Sequence, residues 1–251
     1  NIKKLKKNDL KNIFNSNKVY SHNMPKELSK VIIKFIDNVF TKLSNKDTIF
    51  ENLLEIIFAF YNIHNKFDCL SEKNFIISEK EKLKESNLLI QASFLPKICF
   101  KNNYDNQLRY RKICIRAANK SKYFSLSESE FKKKYIYNYN IKFNKFITDN
   151  NYILKNFFIN EFIKNIGNFN TSLDFFDNFI REFLYKINIT SFLLTCLAFE
   201  NKKNITVDDY IEVLSAVQKI TQNSEEKKVL IINFFKKLDK SKLFIRLFDI
   251  F

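Results

Sequence analysis

From Pro25 onward the apolar residues fall into stripes. Leu28, Val31, Ile32, Phe35, Ile36, Val39, Phe40 and Leu43 recur at three- and four-residue steps, the spacing that gathers side chains on one face of an α-helix. Pro25 suits a first helical turn, where its missing amide hydrogen would have had no partner. Residues 45–47 supply a turn and an N-cap. The segment after them, "TIFENLLEIIFAFYNIHN", is apolar nearly all round and predicts a helix deep in the core.

Residues 66–126 are less regular. "NFIISEKEKLKESNLLIQASFLPKICF" reads as a charged-faced helix that ends before Pro96, because the residue preceding a proline avoids helical dihedrals. Regularity returns at "SLSESEFKKKYIYNYNIKFNKF", where Ser127 and Glu130 have the spacing of a capping box and open a helix despite a period-two flavour in "KKYIYNYNIKF". Asp149 is placed to cap the next helix. That helix carries apolar residues on both faces, and Gly167, the only glycine of the chain, follows where a helix end favours a left-handed residue. Thr171 or Ser172 caps the long run "LDFFDNFIREFLYKINITSFLLTCLAFENKK", which is expected to bend near Asn188 to Ser191. Thr206 and Asp209 repeat the capping-box pattern ahead of Val207, Ile211, Leu214, Val217 and Ile220. Ser224 starts a last helix with Val229, Ile232, Phe235 and Leu238.

The fold class is therefore all-α, a bundle of about eight helices. Residues 1–24 read as a lead-in or linker and 25–251 as a single helical domain, with a division near residue 105 left open. Composition supports this. One glycine and two prolines leave little for tight hairpins or phosphate-binding loops, and 45 % hydrophobic content is ample for a core.

The formal net charge of +16 suits a polyanion, an acidic protein or an acidic membrane surface. The Lys-, Asn-, Ile- and Phe-rich bias of an AT-rich coding sequence explains it without any such partner. Cys69, Cys99, Cys114 and Cys196 lie far apart with no CxxC pair, so no local metal motif exists and reduced thiols in a cytoplasmic protein are expected. The most apolar stretch is interrupted by Lys186, Asn188 and Glu200, which argues for a buried helix rather than a bilayer span. The chain begins at Asn1 with no leader and reads as a fragment of something longer.

Catalytic signals are sparse. His22 and His64 have no triad around them, and Asp174, Asp177, Asp208 and Asp209 sit in first helical turns, where the helix dipole alone favours them. Arg109, Arg111, Lys112 and Arg116 alternate with Tyr110, Ile113 and Ile115, the mixture of cations and rings that a single-stranded nucleic acid groove needs, although a solvated helix face gives the same pattern. Asn156 and Asn160 lie a helical turn apart among large apolar residues. Buried amides need partners, so they either bind a neighbouring backbone or hold a ligand.

"YILKNFFINEFIK", residues 152–164, resembles the Y-I-L-E-N-Y-L-V-N-x-x-F-K segment of the flagellin lysine-N-methylases, with Tyr152, Ile153, Leu154, Asn156, Asn160 and Lys164 matching in place. "MPKELSKVIIKFIDNVFTKLSNKDTIFENLLEIIFAFYNI" is similar to that family's earlier helix pair, and residues 175–238 follow its C-terminal layout. The family's closely spaced cysteines are absent, and "NIGNFN" replaces its phenylalanine- and proline-rich segment. The resemblance implies the C-terminal part of a protein-lysine methyltransferase that contributes to substrate recognition or methyl transfer. It further implies S-adenosylmethionine as donor, and an iron-sulfur cluster only if a cysteine-rich region lies upstream. Tyr152, Asn156 and Asn160 become the candidate substrate- or ligand-binding residues, and no catalytic residue carries over. The implied partner is an acidic protein, flagellin in the family. The alternative is a basic helical module that binds nucleic acid, or a scaffold without catalysis.

Overall fold

The computed structural model describes residues 88–100, 108–165, 173–199 and 204–223. Expectations at Pro25, His22, His64, Cys69, Gly167, Thr171, Ser172 and Ser224 lie outside them. Among the described residues every regular element is helical and no strand occurs, which makes the fold all-α.

Residues 88–100 form α1, which runs through Pro96 rather than ending before it. Proline removes one helical hydrogen bond at a cost of about 3 kcal/mol. Against this, Leu88, Ala92, Leu95 and Cys99 recur at helical spacing on both sides of the proline and are all buried. Each leucine side chain contributes roughly 1.5–3 kcal/mol by leaving water. Tertiary burial therefore outweighs the local preference.

Helix α2 spans Leu108–Lys120, and Lys122 turns the chain in a left-handed conformation, φ 53° and ψ 34°, before a single 3-10 turn at Tyr123–Ser125. Helix α3, Glu128–Asn138, opens with the full capping box: the Glu130 amide donates to Ser127 Oγ, and the Ser127 amide donates to Glu130 Oε2 at 2.9 Å. A π-helical turn, Tyr139–Phe143, joins it to α4, Asn144–Asp149. The wide turn has a packing reason. Phe131, Tyr135, Tyr139 and Phe143 form a buried aromatic ladder with centroid spacings of 6.3, 6.1 and 5.1 Å. In an unbroken α-helix each four-residue step turns such a row by about 40°, and a π turn returns it to the core.

Helix α5, Asn151–Asn165, follows after one residue. Asp149 is the last residue of α4 rather than a cap for α5. Asn150 takes the C-cap, its side-chain amide donating to Phe146 O at 2.9 Å, and its own carbonyl accepts the Ile153 amide. Helix α6, Leu173–Leu197, is one continuous helix across Asn188–Ser191. Its polar residues bond within their own helix instead of breaking it: Asn188 Nδ2 donates to Leu184 O, Thr190 to Lys186 O and Thr195 to Ser191 O. Helix α7, Val207–Asn223, starts with the second capping box, Thr206 and Asp209.

Proximity of Cα atoms divides the chain into two units. One comprises Glu79–Leu154 and Ile180–Ile250. Its core centres on Phe192, fully buried, whose ring lies 5.4 to 6.5 Å from those of Phe100, Tyr135 and Phe131. A buried polar chain crosses the same core. Tyr135 OH donates to Gln91 Oε1 at 2.8 Å, and Gln91 Nε2 donates to Asn188 Oδ1 at 2.6 Å. The other unit comprises Asn1–Ser78, Lys155–Phe179 and Phe251. There Phe157 and Phe179 are buried, and the buried Glu161 carboxylate is met by Lys164 at 2.9 Å.

Candidate functional site

The basic run of the sequence lies on α2. Arg109, Lys112 and Arg116, at i, i+3 and i+7, share the outward side, and Arg111 is exposed on a flank. The rings and aliphatic side chains do not join them. Tyr110 is 1 % exposed, with its hydroxyl on Cys99 Sγ at 3.5 Å, and Ile113 is also buried. A stacking platform needs exposed rings among the cations. The exposed large apolar residues of α2 are Leu108 and Ile115, both aliphatic, so the stripe offers charge without a stacking ring.

Tyr152, Asn156 and Asn160 all fall on α5, at four-residue steps. Tyr152 is 45 % exposed, Asn160 is exposed and Asn156 half-buried. The desolvation argument for paired buried amides therefore does not apply to Asn160. Beside this row Glu161 is buried against Lys164, and Asn165 Nδ2 donates back to Glu161 O at 2.7 Å.

A cavity of about 130 Å³ opens where α2, the end of α6 and the start of α7 meet. Leu194, Leu197, Ala198 and Ile205 form its apolar wall. Arg116 and Lys120 from α2 face Asp209 and Glu212 from α7 across it, with Asn204 at the edge. Arg116 Nη2 lies 3.3 Å from Glu212 Oε1 and 3.4 Å from Oε2, a contact that ties α2 to α7 in partial exposure to solvent. Asp209 Oδ2 accepts from the Thr206 amide at 3.0 Å and from its hydroxyl at 2.6 Å. The Ala198 carbonyl is taken by Lys142 Nζ, projected from the π turn. Partial desolvation there lowers the lysine's pKa. Arg116 and Asp209 stood out in the sequence for other reasons. Lys120, Glu212 and Ile205 carried no signal, because the α2 and α7 contributions are distant in sequence, Arg116 and Glu212 by 96 residues.

Cys99, Cys114 and Cys196 are free and buried. Burial raises the Cys99 and Cys196 thiols well above their usual range, so they resist forming the thiolate that metals require. Among the described residues no group of three or more His, Cys, Asp or Glu side chains could hold a metal ion. These residues do not fit an iron-sulfur cluster. Among the described residues no helix is long and apolar enough to cross a membrane.

The described residues form an all-α domain with a one-sided cationic helix, α2, and a row of asparagines on α5. Comparison with protein families makes the assignment: residues 30–245 match the FliB lysine N-methylase C-terminal domain, and the chain belongs to that family. No curated protein and no solved structure matches it.

Proposed function

We propose that this lysine N-methylase C-terminal domain recognises an acidic protein substrate, flagellin in the first instance, and presents its lysines for methyl transfer. The family match carries the reading. The α2 stripe of Arg109, Lys112 and Arg116 supports it, because exposed cations without rings attract carboxylates but do not stack bases. S-adenosylmethionine is the proposed donor, and it supplies an electrophilic methyl group. The cavity between α6 and α7, at about 130 Å³, is too small to enclose it whole, since sites for ligands of that size span roughly 300–1,000 Å³. A lysine amine must shed its proton before it can attack a methyl group, and no described residue is assigned as the base. Tyr152, Asn156 and Asn160 are proposed as the polar row that holds substrate backbone.

Binding of flagellin to the full chain tests the recognition step. Reversal of Arg109, Lys112 and Arg116 to glutamate should weaken binding by about tenfold relative to wild type at moderate salt. Undiminished flagellin binding by the triple variant would refute it, as would a preference for single-stranded nucleic acid over flagellin.

A further inference from the structure

The cavity beside Arg116 lies between helix ends of opposite polarity. Aligned peptide dipoles leave partial negative charge at the C-terminus of α6 and partial positive charge at the N-terminus of α7. The side chains add two cations, Arg116 and Lys120, and two carboxylates, Asp209 and Glu212. A ligand with one net charge meets attraction and repulsion in equal number. A ligand with both charges a bond or two apart meets a partner for each, and the wall of Leu197 and Ile205 accepts an apolar side chain.

We propose that this cavity binds the α-amino-acid group of a small molecule, its ammonium against Glu212 and Asp209 and its carboxylate against Arg116 and Lys120. The volume agrees: cavities of about 150 Å³ admit benzene, so about 130 Å³ takes the amino-acid group itself and leaves the rest of a longer ligand outside. Hydrogen-bonding capacity agrees as well. Arg116 meets Glu212 through Nη2, which leaves Nη1 for a carboxylate. Asp209 spends Oδ2 on Thr206 and keeps Oδ1 for a donor. The Arg116–Glu212 contact is long and solvent-exposed, 52 % and 36 %, so it rearranges at little cost. Lys142 already satisfies the Ala198 carbonyl, which directs an incoming ammonium to the carboxylates.

This site goes beyond the methylase reading and stands without it, since a free amino acid and the amino-acid end of a sulfonium nucleoside present the same group. Isothermal titration of the full chain with L-methionine, N-acetyl-L-methionine, L-methioninamide and S-adenosylhomocysteine tests it. Saturable binding of L-methionine or S-adenosylhomocysteine is expected, and removal of either charge from methionine should weaken binding by about tenfold or more. Arg116→Ala and Glu212→Gln should weaken the zwitterions by about the same factor, while Lys219→Ala does not. Much tighter binding of S-adenosylhomocysteine than of methionine marks a nucleoside-linked ligand, and similar affinities mark a free amino acid; both support the site. The proposal is overturned if neither zwitterion binds, if the N-acetyl or amide derivative binds as tightly as methionine, or if the two variants bind at wild-type affinity.

Discussion

Replacing Asn188 by leucine should destabilise the protein through an atom it leaves untouched. Gln91 Nε2 donates to Asn188 Oδ1 at 2.6 Å in a buried setting, and Gln91 Oε1 is already committed to Tyr135 OH at 2.8 Å. Leucine matches asparagine in size but strips the acceptor, and an orphaned buried donor costs about 1–3 kcal/mol. For a chain of this length each kcal/mol lowers the melting midpoint by roughly 2–4 °C, so a fall of about 2–12 °C is expected. Gln91→Met alone orphans the Asn188 carbonyl oxygen and takes one of two side-chain partners from the Tyr135 hydroxyl, the other being Thr195. The double variant Gln91→Met/Asn188→Leu removes both partners of the 2.6 Å bond and leaves the tyrosine hydroxyl to Thr195. Urea denaturation of the four proteins closes a double-mutant cycle. The double variant should be more stable than the sum of the single losses by about 0.5–3 kcal/mol. Additivity to within about 0.5 kcal/mol would show that the amides do not act as a unit and would refute the reasoning.

Three smaller perturbations follow from single residues. The Tyr210 hydroxyl is buried with no partner among the described residues, and burial pushes its pKa far upward; Tyr210→Phe should therefore leave stability unchanged or raise it by about 1 kcal/mol, and an equal loss would reveal a missed partner. Lys122 holds φ 53° without being glycine; Lys122→Gly should gain up to about 1 kcal/mol in thermal unfolding, and a clear loss would contradict a left-handed turn there. The side-chain and backbone bonds from Ser127 hold the Glu130 carboxyl below its usual range, a stabilisation present at neutral pH and lost as pH falls through the folded-state value. Ser127→Ala should move the Glu130 titration upward by NMR, whereas an unmoved titration would deny the capping box.

Features decided within one helical turn were readable from the chain. Both capping boxes, Ser127 with Glu130 and Thr206 with Asp209, form as the spacing requires, because their geometry depends on four consecutive residues. The all-α fold was legible for a related reason: periodicity of three and four with almost no glycine admits few alternatives. Pro96 misled because its local cost is offset elsewhere, by the buried α1 stripe. Asp149 misled by one position, since Asn150 ends α4 with its own side chain. The basic patch was legible as charge but not as a surface, because alternation in sequence placed Tyr110 and Ile113 on the buried side of a helix. The cavity was illegible. Arg116, Leu197 and Glu212 meet only through the packing of three helices.

The central claim is that this domain serves a lysine methylase by holding its protein substrate. Its most direct test is steady-state methyl transfer from labelled S-adenosylmethionine to flagellin lysines, catalysed by the intact enzyme that carries this chain, with Arg109, Lys112 and Arg116 intact or reversed to glutamate. Exposed charge pairs contribute about 0.2–1 kcal/mol each, so the triple reversal should raise the flagellin KM by about tenfold and leave kcat unchanged. Absence of methyl transfer by the unmodified enzyme, or a loss confined to kcat, would contradict the account.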